Sequence, residues 1–367
     1  MKPQDLFAEA AKAAFKASGV APDLIDTVNI GQISSTSPSG LAPRHAALTA
    51  GVPHEKPVLG TNMLSGSAFN AALMSTQEIL LGIAQISLAG GMEVMSGLPF
   101  LVRELRLGVP IGKTISFEDI NVVGLFDSYC NMTVTETSEK LARMYDISRE
   151  EMDMFALRSQ RNWKAAQDKG IFDAELAPVV GTVDGEGILL AEDEHPRPDL
   201  TFEILSQLPP LASGLLTAGN FCGINDGAGA VILASEDALK EHNIKPLARI
   251  SGWCRVGVDP SIMGIGSAVA VRKLLDAMRL GNDDIDLFEI HETNAAVALA
   301  GAKELRVDES KLNLNGGGIA IGHPSGASGA RLISHITHEL RRKRLRRGVA
   351  AVCVAGGQGI AVLIENV

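Results

Sequence analysis

Aromatic residues make up only 4% of the 367-residue chain, so Ala, Val, Ile and Leu must fill the core. Cysteine is scarcer still. Cys130, Cys222, Cys254 and Cys353 are the only four, and none forms a CxxC pair. That spacing excludes a disulfide framework and a paired-cysteine zinc site, and makes a reducing compartment the default. Positive charge is in deficit, with a net charge of −10, which argues against a nucleic-acid partner. No apolar run is long enough to span a membrane. The opening "MKPQDLFAEAAKAAFKASGV" has no hydrophobic stretch of the secretory kind and is too acidic for a transit peptide. It reads as an amphipathic helix with Leu6, Ala10, Ala13, Ala14 and Phe15 on one side.

What is plentiful is glycine, at 38 residues, together with a hydrophobic fraction of 46%. Together they describe a globular chain with a large core and many tight backbone positions. The length suits two or three domains. Strand-like and helix-like runs alternate as in α/β proteins with largely parallel sheets. "DTVNIGQI", "KPVLGTN" and "AQISLAGGMEVMS" read as strands, with "APRHAALTAG" and "SAFNAALMSTQEILLG" as the helices between them. From about Leu98 to Leu211 charges rise and strands vanish; Ser148 followed by Glu151 is a capping-box signature. The alternation then resumes to the end. Two similar βαβαβ-type domains packed together, with an inserted, mainly helical loop domain, are the expected fold. The expected boundaries are 1–93 plus 213–243, 94–212, and 244–367. The basic run 341–347, "RRKRLRR", reads either as a solvated helix end beside the negative pole or as a contact for a polyanion or phosphate.

Four constellations could carry chemistry. Ser65, with Asn62 and Gly66, lies between a strand and a helix; it is either a helix cap or an anion-stabilising hydroxyl at the helix's positive pole. His291 heads "HETNAA" where a strand gives way to a helix, the end of α/β sheets at which active sites cluster. It is either a satisfied core histidine or a proton donor or base. "NGGGIAIGHPSGASGA", 315–330, holds His323 among glycines that permit close backbone approach to a ligand. Cys353 ends a strand before a Gly turn, either as a buried structural thiol or as an acid/base thiol.

Taken in order, N-x-x-(nucleophile)-G-S, "GINDGAGAV", an H-E turn, "GHP" and C-x-x-G-G-x-G resemble the thiolases over almost the whole chain, nearest to the 3-ketoacyl-CoA thiolases of animal mitochondria. The resemblance implies a two-step acyl transfer of fatty-acid β-oxidation. A nucleophile at position 65 attacks a 3-ketoacyl-CoA, His323 takes its proton, and Cys353 protonates the departing acetyl-CoA enolate. It also implies an oxyanion hole at the Gly356 turn, a catalytic position at His291, and substrate contacts at Asn62, Gly322 and Val134. No metal or bound cofactor is implied; CoA enters as co-substrate, and acyl-CoA and CoA are the partners. A homodimer or homotetramer in the mitochondrial matrix is the matching expectation.

The sequence departs from the family at several points. The family's nucleophilic Cys is Ser65 here. The N-E-A-F motif reads His291-Glu292-Thr293-Asn294, and the M-G-x-T-A-E motif begins Val134-Thr135. The family's first strand has no counterpart, which predicts a gap in the middle of the first sheet. These departures leave two expectations open: an acyltransferase slowed by Ser65, or an acyl-CoA-binding paralogue or partner subunit without turnover. A ketoacyl synthase of the same fold is disfavoured, because Cys353 stands at the thiolase acid/base position.

Overall fold

The computed structural model describes residues 1–34, 40–183, 186–212 and 214–367. The first half runs α1 Pro3–Ser18, β1 Thr27–Gly31, α2 Ala42–Thr49, β2 Val58–Thr61, α3 Ser67–Leu80 and β3 Ile86–Val94. The insertion follows with β4 Phe100–Leu101, β5 Glu118–Asp119, α4 Ile120–Val123, β6 Phe126–Asp127, β7 Met132–Thr133, α5 Val134–Met144, α6 Arg149–Gln167, β8 Val179–Val183, β9 Glu186–Leu190 and α7 Phe202–Ser206. Then come β10 Asp226–Ala234, α8 Glu236–Glu241, β11 Ala248–Gly257, α9 Gly266–Met278, β12 Leu287–Ile290, α10 Ala295–Leu305, α11 Gly318–Ile321, α12 Ser328–Lys343, β13 Arg347–Val354 and β14 Gln358–Asn366.

Two four-stranded sheets result, ordered β10-β3-β1-β2 and β11-β14-β13-β12. They are mixed rather than largely parallel: β1 runs parallel to β2 and β3, and β12 to β13, but β10, β11 and β14 pair antiparallel. The cause is connectivity. β14 returns from β13 through a three-residue turn, and so short a link can join only antiparallel neighbours. The expected gap in the first sheet is not found. β3 pairs directly with β1 on one side and β10 on the other, so the sheet is continuous through its middle.

Helices α1 and α2 cover the outer face of the first sheet, with Phe7, Ala8, Ala46 and Ala47 fully buried. Helix α9 covers the outer face of the second, and α10 packs against α9, α5 and α6. Between the sheets lie α3 and α12, where Phe69, Leu73, Ile336 and Leu340 meet Ala89, Val352 and Val362. The layers therefore run α, β, α, β, α. Complete burial of Phe69 alone contributes roughly 2–3 kcal/mol. Gly91 of β3 permits this closeness, because a Cβ there would lie 1.9 Å from the Gly326 carbonyl oxygen.

The insertion is not free of strands. Among the described residues it carries three short two-stranded ribbons, too small to bury a face of their own. Its helices α5 and α6 share the second core, where Leu141, Met152, Phe155 and Leu157 pack with α10. The capping box at Ser148 and Glu151 starts α6 as expected. Ser213, the residue at which the first domain is expected to resume, lies outside the described residues. The basic run ends α12: Arg342 and Lys343 pair with Glu339, Arg347 with Glu365, and Arg341 donates to the Leu247 carbonyl, which fits the helix-end reading. The four cysteines are free, and no described helix is long and apolar enough to cross a membrane.

Candidate active site

The site forms where the carboxyl ends of β2, β12 and β13 meet the amino ends of α3 and α12. Such ends present backbone N–H groups and the positive pole of each helix.

Ser65 stands in the turn between β2 and α3. It is not a cap: the N-cap of α3 is Gly66, which has no side chain to bond with. Ser67 closes the turn instead, accepting from Met63 N at 2.9 Å and donating to the Leu64 carbonyl at 2.6 Å. Leu64 is held at φ +47°, an uncommon conformation for a branched residue. Asn62 supports it by accepting Leu64 N–H at 2.9 Å, while its amide donates to the Ile33 carbonyl at 3.2 Å. The Ser65 hydroxyl then points at His323, with Oγ 3.0 Å from Nε2.

His323 is held from three sides. Its backbone N–H donates to Asn225 Oδ1 at 3.1 Å, and its Nδ1 lies 2.7 Å from Ser328 Oγ. Ser328 spends its one proton on the Pro324 carbonyl, 3.1 Å away. With its proton there it accepts at Nδ1, and that tautomer carries the ring proton on Nδ1 and the lone pair on Nε2, facing Ser65. Gly322, at φ +101°, makes the turn possible, since a Cβ there would lie 2.2 Å from Asn225 Oδ1. Burial, and then the charge of Arg331, lower the pKa of His323 to about 3. The neutral imidazole is the resting form, and no carboxylate supports the charged one at Nδ1.

His291 follows β12 and stacks on His323, ring centroids 3.9 Å apart at 37°. Both its ring nitrogens are buried without a hydrogen-bond partner among the described residues. Burial lowers its pKa well below the usual histidine range, helped by His323 and Arg331. Two unpartnered nitrogens beside a candidate base mark a place built to meet a ligand or a water. Its neighbour Glu292 accepts from Ser159 Oγ at 2.7 Å, Asn313 Nδ2 at 2.9 Å and Ile319 N at 3.2 Å. It thereby ties α6 and the glycine loop to this turn.

Cys353 is buried near the end of β13, with Sγ 3.3 Å from Thr293 Oγ1. Burial pushes its thiol up to about 11, opposed by the Thr293 hydrogen bond. Gly356 sits just beyond it, exposed, at φ +78°.

Ser65 and His291 thus each contact His323, with Cys353 joined through the Thr293 turn. Among the described residues Asn62 bonds to backbone groups only. It also lines a groove of about 550 Å³ with Met63, Asn70, Arg255, Lys273 and Gln358, which contains neither Ser65 nor His323. Val134 opens α5, one step removed: its carbonyl accepts from Ser138 Oγ at 2.8 Å, which in turn accepts from Asn294 Nδ2 at 2.9 Å. Ser328, Asn225 and Thr293 were not among the sequence candidates. Only the five-residue spacing from His323 to Ser328 carried a local signal; the other two meet their partners across the fold.

Comparison with known proteins agrees in extent. Residues 1–237 match the thiolase N-terminal domain and residues 244–366 the thiolase C-terminal domain. Mitochondrial 3-ketoacyl-CoA thiolase of Bos taurus is 45% identical over 99% of this chain and 92% of that protein. A probable acetyl-CoA acetyltransferase of Escherichia coli is 38% identical over 97% of this chain and 91% of its own length. Among solved structures, human mitochondrial 3-ketoacyl-CoA thiolase superposes with a TM-score of 0.98 at 44% identity, covering 100% of this chain and 94% of that one. The same human enzyme in complex with CoA gives 0.97, also at 44% identity, covering 100% and 93%.

Proposed function

The chain belongs to the thiolase family, and from that premise we propose that it transfers acyl groups between 3-ketoacyl-CoA thioesters and CoA, with Ser65 in the nucleophile's place. The observation that carries this reading is the 3.0 Å contact of Ser65 Oγ with Nε2 of His323. Ser65 attacks the 3-keto carbon as Nε2 takes its proton. Cys353 protonates the acetyl-CoA enolate that leaves and recovers a proton from the incoming CoA thiol. In this reading His291 and the Gly356 turn supply the donors to the developing oxyanions. Asn62 shapes the nucleophile turn, Gly322 the base turn, and Val134 borders the acyl side.

Ser65 makes this a slow enzyme. Its hydroxyl ionises far less readily than a thiol, and His323 lacks a carboxylate to hold the proton it takes. Passing an acyl group from a serine ester to a thiol is also uphill. The same features favour a second reading, CoA-thioester binding without turnover.

Thiolysis of a 3-ketoacyl-CoA by the purified chain and by Ser65→Cys, side by side, tests the proposal. Turnover by the Cys form, on the order of 100-fold above the parent, is the expected result. Two folded proteins without turnover, yet with CoA-thioester binding by calorimetry, would replace it with the second reading.

The same reading takes 1–93 with 213–243, 94–212, and 244–367 as the functional units. It sets the chain in the mitochondrial matrix, in keeping with the names of its relatives. It also makes it a homodimer or homotetramer, for which the exposed Leu107, Ile111 and Phe117 of the insertion offer apolar surface.

A further inference from the structure

Thr293 is set with unusual care for a turn residue. Both its neighbours are locked: Glu292 by its three donors, and Asn294 by accepting Val297 N–H at 3.0 Å and donating to Ser138 Oγ at 2.9 Å. Its own carbonyl accepts Cys222 N–H at 3.1 Å. The parallel register of β12 on β13, Ile290 opposite Ala351, carries the turn level with Cys353. Thr293 precedes α10 rather than lying within it, so no preceding helical carbonyl competes for its hydroxyl. That hydroxyl is buried and bonds to Cys353 Sγ at 3.3 Å.

We propose that Thr293 is a positioning residue for Cys353: its hydroxyl fixes the sulfur and donates to it once the thiol has given up its proton. The inference deepens the reading of Cys353 as the proton donor and rests on it for its catalytic meaning. The surroundings leave few alternatives for holding a thiolate. The titratable groups on the facing segments are the Cys222 thiol, pushed up by burial and by the charge of Cys353, and Glu292, whose pKa burial raises. His291 and His323 are kept neutral by burial. None of these supplies a positive charge, so a hydroxyl donor is the group best placed to favour the charged sulfur.

The test compares the parent with Thr293→Val, which removes the hydroxyl at nearly constant volume, and Thr293→Ser, which keeps it. Alkylation of Cys353 by iodoacetamide, followed peptide by peptide as pH rises, reports its thiolate fraction independently of catalysis. Thr293→Val should slow alkylation about tenfold at each pH on the rising limb, equivalent to an upward move of about one pH unit, and Thr293→Ser should restore it. In the Ser65→Cys background, Thr293→Val should lower kcat about tenfold with KM unchanged. Unchanged alkylation in folded Thr293→Val overturns the inference. Altered alkylation with unaltered kcat leaves Thr293 acting on the sulfur but removes Cys353 from the proton path, so the two failures separate. Should Thr293→Val not fold, Thr293→Ala carries the same measurement.

Discussion

The turn after β2 and the turn after β12 both supply residues to the site, yet they are built differently. The first holds Ser65 half-exposed, in a loop closed by bonds among residues 62–67 and to Ile33. The second buries His291, Glu292, Thr293 and Asn294 to 8% exposure or less and ties them to α5, α6 and the glycine loop. The sheets behind them differ in the same sense. β14 is buried between β13 and β11, whereas β10 is half-buried, with β3 on one side and no strand among the described residues on the other. The first half thus leaves Ser65 half-exposed, and the second encloses His291, His323 and Cys353, to which the proposed function gives the proton transfers. A nucleophile must be reached by its substrate, whereas burial sets the pKa of groups that exchange protons.

The comparison can be broken most sharply at its contact point. His323→Ala in the Ser65→Cys background should lower kcat by about 10²–10⁴ with the fold kept, because it removes only the base. A loss of less than tenfold, measured by steady-state thiolysis, would mean the two halves do not cooperate through this bond. Next in size, Glu292→Ala should cost about 3 kcal/mol in urea unfolding, since it strands several buried donors, whereas Asn62→Ala should cost about 1 kcal/mol. Equal losses would erase the distinction between the turns. Ser328→Ala should reduce kcat about tenfold and mix the His323 tautomers, visible as a changed ¹⁵N shift pattern of its ring.

The smallest effect concerns the middle of α12. There His335 bonds Glu175 at 2.6 Å and faces Glu289 at 3.8 Å, joining the insertion to the second half. Burial disfavours its charge, but the two carboxylates outweigh this and raise its pKa to about 9. A raised folded-state pKa means that the protonated form contributes stability in full below pH 6.5 and loses it as pH rises through 9. The stability difference between the parent and His335→Gln should therefore shrink across that window. A difference that grows with pH would contradict the pairing.

Much of this was legible from local patterns. The helix over 67–80 and the strands over 86–94 and 347–354 follow from apolar runs and glycine stops, and the capping box of α6 from Ser148 and Glu151. Where the reading failed, a long-range pairing was responsible. The gap expected in the first sheet is absent because β3 and β10 pair directly across an insertion of more than one hundred residues. Ser65 reads as a cap or a nucleophile until Ser67 closes the turn, and Thr293 stands in the sequence only as one letter of a departed motif until its hydroxyl meets Cys353.

By itself, then, the sequence determined which short segments become strand, helix or turn, and which turns carry a hydroxyl, an imidazole or a thiol, because periodicity, capping and glycine conformations act over a few residues. Only the tertiary structure decided which of those groups meet and in what state. Ser65 and His323 are 258 residues apart in the chain and 3.0 Å apart in space. The tautomer of His323 and the protonation of Cys353 follow from burial and contacts that exist only once the two sheets have closed over α3 and α12.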